Sequence, residues 1–292
     1  MKLSVEEFRH WQHRSITLLG MSGVGKTYLS ALLRRHDWFH YSGDYRIGTR
    51  YLDEHILDLI KGQAMQVPFL RDLLRRDWIF IRNNIKVNDL GPVLSFVGKL
   101  GNPDLGGLAM EEFSRRQSLY RQGEIAAMMD VPAFIRKAQQ IYGYNQFVND
   151  VGGSLCELEE PAVIDVLARH TLILYIQVPP EDEIKLIRRA QADPKPLYYR
   201  PAFLGAAVRD YLQEQGLEYI AEIDPDAFTR WVFPRLFHSR VPRYEAIARP
   251  YGYTVVSTEV AQVRDERDFL DLLEAAIARK EAEQGVGSGK DT

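Results

Sequence analysis

Residues 20–27 read Gly20-Met21-Ser22-Gly23-Val24-Gly25-Lys26-Thr27. This stretch fits the pattern G-x-x-x-x-G-K-[ST] at every constrained position, and that pattern is typical of loops that bind phosphate groups. The β-branched and apolar run 15–19 before it predicts a buried strand. The apolar residues at helical spacing in 27–35 predict a helix after it. Strand, glycine loop and helix, in this order, are the context in which the motif binds a nucleoside triphosphate.

The residue types in this loop suit a polyphosphate. Glycines lack Cβ, so the backbone can take angles that other residues avoid and can wrap closely around an anion. Inward-pointing amides and the positive end of the following helix reinforce that site. We expect Lys26 to contact the β- and γ-phosphates and Thr27 to bind Mg²⁺ through its hydroxyl. The predicted nucleotide-binding residues of the loop are Gly20, Ser22, Gly23, Val24, Gly25, Lys26, Thr27 and Tyr28.

Composition restricts the class of protein. The 292 residues are 46% hydrophobic and 26% charged, which is typical of a globular protein. The net charge of −3 argues against a broad nucleic-acid surface, and no apolar run approaches the about 18 residues of a membrane span. Cys156 is the only cysteine, so no intrachain disulfide can form. We therefore expect a cytoplasmic protein with no membrane partner, for which a nucleic-acid partner is disfavoured.

Strand and helix patterns alternate along the chain. Beyond 15–19, strands are predicted at 38–42, 146–150, 171–178 and 253–257, and the apolar run 171–178 is typical of the middle of a parallel sheet. Helices are predicted between them, including 225–237 and a last helix over 269–283. The predicted fold class is a three-layer α/β P-loop NTPase with a parallel sheet.

Several separated segments of the chain resemble shikimate kinase and its nucleoside- and gluconate-kinase relatives. Besides the phosphate loop, they resemble an acidic segment after the second strand, a glycine triplet, an adenine-side helix, the Arg-Pro-Leu of a mobile lid and an Arg-x-Pro-x-Tyr helix. The corresponding residues are 42–47, 150–154, 174–189, 195–197 and 240–248. The resemblance covers about 1–52 and 145–278, and it implies ATP and Mg²⁺ as cofactors.

The resemblance also implies roles on the nucleotide side of the site. Arg188 or Arg189 is expected to lie against adenine, and Lys195 to close on the phosphates as a lid cation. Where the family has an arginine in the lid, this chain has Lys195, which supplies a point charge in place of a two-pronged donor.

On the acceptor side, the resemblance implies that Asp44 binds the acceptor hydroxyl and could activate it. Gly152 and Gly153 would let the substrate approach the backbone closely, and Arg240 would hold an anionic group of the substrate. Two simpler interpretations stay open: Gly43-Asp44 is only a turn, and Arg240 is a surface cation on a helix.

The acidic segment departs from the family pattern in a way that concerns the metal. Its first aspartate is replaced by Ser42, so one magnesium carboxylate is missing. Asp150, at the end of a predicted buried strand, could supply it, although a turn-capping role before Gly152 is the alternative. The predicted metal ligands are thus Thr27 and Asp150. The predicted catalytic residues are Lys26, Asp44, Asp150 and Lys195.

The predicted domain organisation is a P-loop kinase core interrupted by a large insertion. The core comprises 1–52 and 145–283, with a lid at about 190–240; a helical substrate-binding insert occupies 53–144, and 284–292 is expected to be a disordered tail. The insert carries arginine clusters at 71–82 and 115–121. These clusters are either solvated helix faces or an anion pocket for the substrate.

Two functions from different classes remain open. The leading hypothesis is a kinase that transfers the γ-phosphoryl of Mg·ATP to a hydroxyl of a small, anionic metabolite. The alternative is a P-loop ATPase or nucleotide-responsive regulator that acts on a protein or nucleic-acid partner through the insert, and an inactive nucleotide-binding relative is a third possibility. The sequence leaves open the acceptor, the choice between ATP and GTP, and the oligomeric state.

Overall fold

Five parallel strands form one sheet in the computed structural model, which describes residues 1–287. The strands are β1 (Ser15–Leu19), β2 (Trp38–Ser42), β3 (Gln146–Asp150), β4 (Leu172–Gln177) and β5 (Gly252–Val256). Their spatial order is β2-β3-β1-β4-β5, and every neighbouring pair is parallel. All five predicted strands are present within one residue of their expected bounds, and the three-layer α/β fold class is confirmed.

The register of the sheet brings the carboxyl ends of its strands to one edge. Leu18 of β1 and Ser42 of β2 both lie opposite Asp150 of β3, while Leu19 lies opposite Tyr175 of β4. Every residue of β1 is buried, as expected for a central strand of a parallel sheet. Because loops that follow parallel strands meet at this edge, it is where such sheets bind ligands.

Helices connect and cover the strands. They are α1 (Val5–His10), α2 (Lys26–Arg34), α3 (Gly43–Arg46), α4 (Asp53–Ala64), α5 (Pro68–Arg75), α6 (Gly91–Val97), α7 (Met110–Met129), α8 (Val131–Gln140), α9 (Pro161–His170), α10 (Pro180–Ala192), α11 (Pro201–Gln215), α12 (Pro225–Tyr251), α13 (Ser257–Val260) and α14 (Glu266–Gly287). A π-helical segment, Ile47–Tyr51, leads into α4. Among the described residues, no helix combines the length and apolar character that a bilayer crossing requires.

Two helices are longer than the sequence predicts. The helix predicted over 225–237 and the helix that the resemblance gives at 240–248 are one continuous helix, α12, which runs to Tyr251 through three internal prolines, Pro234, Pro242 and Pro250. Each proline removes a helical hydrogen bond, and the burial of apolar side chains at helical spacing, such as Leu236 and Tyr244, offsets that cost. α14 ends at Gly287 and not at residue 283. Of the tail predicted to be disordered, 288–292 lie outside the described residues.

Backbone contacts divide the chain into two compact units. The sheet unit comprises Met1–Gly43, Met128–Ala192 and the described part of Phe233–Thr292. The helical unit comprises Asp44–Ala127 and Asp193–Val232. The sequence analysis assigned the second of these segments to a lid on the core, whereas its contacts group it with the inserted helices. The functional roles assigned to the insert and to the lid stay predictions.

Within the sheet unit, the first residues of the chain are joined to β5 and to the last helix. The main-chain N–H of Leu3 donates to the hydroxyl of Tyr253 at 2.7 Å, and Arg9 Nε donates to Glu274 Oε2 at 3.0 Å. The indole of Trp38 on β2 donates to Glu266 at 2.7 Å. The contacts of Arg9 and Trp38 fix α14 to the rest of the sheet unit.

Within the helical unit, side chains join its two chain segments. Lys99 Nζ donates to Asp226 Oδ1 at 2.6 Å. The side-chain amide of Gln117 on α7 donates to the carbonyl of Leu197 at 3.1 Å and accepts from the N–H of Tyr199 at 2.8 Å. A buried amide that satisfies both partners of an irregular segment holds that segment in one conformation.

The buried centre of the sheet should dominate stability. Leu174 in β4 is fully buried, so Leu174→Ala leaves a cavity and should lower the free energy of unfolding by about 2–5 kcal/mol. Ile184 on α10 is exposed, so Ile184→Ala should change it by less than about 0.5 kcal/mol. Urea unfolding followed by circular dichroism measures both, and equal losses would contradict the placement of the core.

Candidate functional site

The phosphate loop, residues 20–27, joins β1 to α2 with backbone angles that demand glycine. Gly20 has a φ of +147°, and a Cβ there would lie 2.7 Å from the carbonyl oxygen of Ile176. Gly23 has a φ of +88°, and a Cβ there would collide with the guanidinium of Arg189. Both positions combine a left-handed backbone with close packing. The loop therefore has a specific conformation that depends on its glycines, and it is not a generic turn.

Lys26 and the start of α2 make the loop positively charged. The Lys26 ammonium is buried and donates to the carbonyls of Gly20 at 2.8 Å and Met21 at 2.9 Å, so it lies against the loop. Within residues 1–287, no side chain caps the amino end of α2 at Gly25. The first N–H groups of a helix attract anions when no side chain satisfies them. The positive charge of Lys26 and the amino end of α2 therefore lie together at one candidate anion site.

Thr27 and Asp150 form the polar pair expected of a magnesium site. The Thr27 hydroxyl donates to Asp150 Oδ2 at 3.0 Å, and Asp150, 9% exposed, ends β3. Burial raises the pKa of the Asp150 carboxyl, while the Lys26 ammonium and the Thr27 hydrogen bond act in the opposite direction. Hard oxygen ligands suit Mg²⁺, which commonly takes one or two protein oxygens and fills its shell with phosphate oxygens and water. The pair fits that pattern.

The described residues contain no group of three or more His, Cys, Asp or Glu side chains that could hold a metal by themselves. Thr27 and Asp150 offer two oxygen ligands, and Mg²⁺ held by them would take its remaining ligands from phosphate oxygens and water.

His40 is a neighbour of this pair that the sequence analysis did not select. Its Nε2 lies 3.9 Å from Asp150 Oδ2, beyond hydrogen-bond distance. Burial, and secondarily the charge of Arg34, lowers the pKa of His40 to about 4. At neutral pH the imidazole is uncharged and does not neutralise Asp150. The sequence feature that could have indicated His40 is its position on β2, because it lies two residues before Ser42 and therefore on the same face of the strand.

A cavity of about 600 Å³ adjoins the phosphate loop. Its volume lies within the range of small-molecule sites, which are mostly apolar with a few polar groups. The walls include Val24, Tyr28, Leu186 and Val260, and the polar groups include Asp182, Lys185 and Arg189. The site can therefore take a flat, partly apolar group attached to phosphates, as a nucleoside is.

Of the two predicted adenine-side arginines, Arg189 lines this cavity. Its Nη2 donates to the carbonyl of Gly23 at 3.1 Å, which places the guanidinium against the phosphate loop. Arg188 is exposed on α10 and is not among the lining residues. Adjacent residues of a helix point in different directions around its axis, so Arg189 reaches the loop and Arg188 does not.

Two predicted catalytic residues, Asp44 and Lys195, belong to the helical unit. Asp44 lies in α3, directly after β2, and its Oδ1 accepts from the hydroxyl of Tyr120 at 3.2 Å. Lys195 is exposed, with its Nζ 3.4 Å from Asp193 Oδ2. Their roles toward an acceptor and toward the phosphates stay predictions.

The predicted substrate-side residues Gly152, Gly153 and Arg240 lie in the sheet unit. Gly152 is buried after the end of β3. The carbonyl of Gly153 accepts from Arg240 Nη1 at 2.7 Å and from the Tyr244 hydroxyl at 2.6 Å. Arg240 is only 4% exposed, so the interpretation of it as a surface cation is wrong. The sequence analysis did not select Tyr244 as a site residue, although it lies four residues after Arg240 on one helix.

No protein-family model matches the chain, and comparison with curated proteins also gives no match. Among solved structures, the chain is similar to shikimate kinase from Bacteroides thetaiotaomicron, with 16% identity, a TM-score of 0.40 and coverage of 93% of this chain and 98% of that one. It is also similar to shikimate kinase from Acinetobacter baumannii in complex with shikimate, with 12% identity, a TM-score of 0.39 and coverage of 98% and 99%.

Asp150→Asn should separate stability from metal binding. Below both the folded and the unfolded pKa, Asp150 is neutral in either state and carries no penalty; as pH rises through its raised folded pKa, the wild type loses stability. The variant should therefore equal the wild type in acid and become more stable with rising pH. Urea unfolding across about pH 3–8, which begins below the unfolded pKa of an aspartate, measures this change.

The same variant should lose the Mg²⁺ dependence of nucleotide binding, because an amide is a weaker ligand for a hard cation. Calorimetric titration with nucleotide, with and without Mg²⁺, gives the comparison. An unchanged Mg²⁺ effect would exclude Asp150 as a ligand.

Proposed function

We propose that this protein is a Mg²⁺-dependent phosphotransferase that moves the γ-phosphoryl group of ATP to a hydroxyl of a small metabolite. The observation that carries the proposal is the 3.0 Å hydrogen bond between Thr27 and Asp150, beside the buried ammonium of Lys26. Phosphate loop, metal ligands and a nucleoside-sized cavity thus lie within one unit. ATP is proposed as the nucleotide because it is the usual phosphoryl donor of the kinases that the sequence resembles.

The residues of the sheet unit would act mainly by position and charge. The loop amides and Lys26 would hold the β- and γ-phosphates, and Arg189 would contribute a second cation near Gly23. Mg²⁺, held by Thr27 and Asp150, would neutralise charge on the phosphate oxygens. Catalysis of this kind depends on alignment and fixed charge in a site that excludes water.

The helical unit is proposed to supply the acceptor site. Asp44 follows Gly43 directly in the chain, two residues after Ser42, whose register partner is Asp150. Chain connectivity therefore supports Asp44 as the carboxylate that binds and orients the acceptor hydroxyl. Lys195 is proposed as the lid cation, although its exposed side chain is paired with Asp193.

Lys26→Ala should reduce phosphoryl transfer by on the order of 100-fold or more, because it removes a fixed positive charge that stabilises the phosphoryl group during its transfer. Incubation of protein and Mg·ATP with fractionated small-molecule extract, followed by phosphorus NMR, should reveal a new phosphomonoester with the wild type only. Lys280→Met is the matched control, since the Lys280 ammonium also binds main-chain carbonyls, of Ala248 at 3.1 Å and Arg249 at 3.0 Å. Undiminished ATP consumption by folded Lys26→Ala would refute the assignment.

A second candidate function is an ATPase or regulator that responds to a macromolecule, and exposed aromatic side chains favour it. Phe69, Trp78 and Phe80 are 71%, 66% and 80% exposed, and within residues 1–283 they are the only exposed Phe or Trp side chains. They lie on and just after α5, among the arginines of 71–82. Clustered exposed apolar groups commonly mark a surface that meets another macromolecule.

The two candidates differ in what stimulates ATP turnover. If the regulator candidate holds, a macromolecular fraction should stimulate hydrolysis, and the double variant Trp78→Ala/Phe80→Ala should lose that stimulation, because the aromatic surface is gone. Ile141→Ala, at a position 67% exposed in the sheet unit, is the control. Stimulation by a small molecule alone, unchanged in the double variant, would reject this candidate in a coupled ATPase assay.

A further inference from the structure

One main-chain carbonyl receives two buried donors from α12. The Gly153 oxygen accepts from Arg240 Nη1 at 2.7 Å and from the Tyr244 hydroxyl at 2.6 Å. Residues four apart lie on the same helix face, so both donors approach Gly153 from one side. Two hydrogen bonds, one of them from a charged donor, fix the orientation of that peptide group.

The Cα of Gly153 lies close to the phosphate loop. A Cβ built on Gly153 would lie 3.1 Å from the main-chain nitrogen of Ser22 and 3.6 Å from the Ser22 Cβ. The absence of a side chain is therefore what lets the two loops touch. The resemblance assigned Gly153 to close approach by substrate, whereas here its Cα side packs against residue 22 of the protein itself.

The two donors are themselves held rigidly. Arg240 Nε lies 3.6 Å from Glu157 Oε1, and both side chains are buried, at 5% and 0% exposed. The Tyr244 ring stacks on Tyr175, with ring centroids 5.5 Å apart and planes 19° apart. Tyr175 lies on β4 opposite Leu19, the last residue before the phosphate loop. Neither donor can shift without disturbing the sheet or a buried ion pair.

We propose that Arg240 and Tyr244 are positioning residues that hold the Gly152–Gly153 turn against the phosphate loop. Through Gly153 they fix the Ser22 amide, and through the two intervening residues, Val151 and Gly152, they fix Asp150. This inference rests on the proposed function for its catalytic meaning, and it replaces the role of Arg240 as a substrate-anion ligand. The acceptor consequently needs no anionic group for Arg240 to hold.

The first test uses Tyr244→Phe, which removes only the hydroxyl and keeps the stacked ring. Loss of one buried hydrogen bond to Gly153 should weaken Mg·ADP binding roughly 5-fold in calorimetry. The matched control is Tyr253→Phe, because the Tyr253 hydroxyl donates to the carbonyl of Leu3 at 2.7 Å in the same unit, away from the loop. Tyr253→Phe should lower the thermal midpoint comparably but leave Mg·ADP affinity unchanged.

A second variant, Gly153→Ala, perturbs the contact between Gly153 and Ser22. The added methyl group must displace the Ser22 nitrogen or its own backbone. It should weaken Mg·ADP binding by a similar factor. If both variants act through the same contact, their effects in the double variant should be less than additive.

Hydrogen exchange of the peptide that contains residues 20–26 supplies a readout that needs no nucleotide. Exchange should be faster in Tyr244→Phe than in the wild type and unchanged in Tyr253→Phe. If Tyr244→Phe and Gly153→Ala lower the thermal midpoint while loop exchange and affinity stay at wild-type values, the positioning role is overturned. If the wild type itself binds no Mg²⁺–nucleotide complex, the proposed function fails, and loop exchange alone decides the positioning role.

Discussion

Parallel pairing of β1 with β3 is the constraint on which the rest of the sheet unit depends. It places Leu18 opposite Asp150, so the loop that follows one strand and the carboxylate that ends the other meet at a single edge. The hydrogen bond from Thr27 to Asp150 is possible only in this register. A shift of one residue would turn Asp150 to the other face of the sheet. Fold and chemistry are thus set by the same strand pairing.

The site concentrates buried charge, and this has a cost in stability. Lys26, Asp150, Arg240 and Glu157 are all less than 10% exposed. Burial of ionised groups is unfavourable unless partners compensate, and removal of one partner leaves the other uncompensated. A protein selected for stability alone would replace such groups with apolar ones. Their presence beside the phosphate loop is consistent with groups retained for binding and chemistry.

The sequence was most predictive where local pattern and tertiary structure agree. The phosphate loop and all five strands could be located because their glycine spacing and apolar runs are local signals. The end of α12 could not be predicted, since the proline rule was overridden by packing that the sequence does not display. The order of the strands was not predicted, and Asp150 was expected near the metal only because the carboxyl ends of parallel strands face the ligand.

Side-chain partners in the candidate site were the least predictable part. His40 and Tyr244 gained their positions from contacts with residues about a hundred positions away, Asp150 and Gly153. The resemblance alone implied a substrate-binding role for Arg240, and its buried partner Glu157 could not be predicted from the sequence. Helix periodicity predicts on which face of a helix each residue lies, but it does not predict which residues pack against that face. Contacts between residues so far apart in the sequence can be identified only in the folded structure.

The order of strands in the sheet also has a consequence for synthesis on the ribosome. β1 and the phosphate loop are complete by residue 27, but the neighbours of β1 begin at Gln146 and Leu172. The first strand made is therefore central and apolar, and it waits for more than half of the chain before either of its edges is paired. Unpaired edges are prone to aggregation during this interval. A nascent chain of this protein thus exposes the phosphate-loop segment long before the strands that pair with β1 are made, and a chaperone that shields apolar strands would act during that interval.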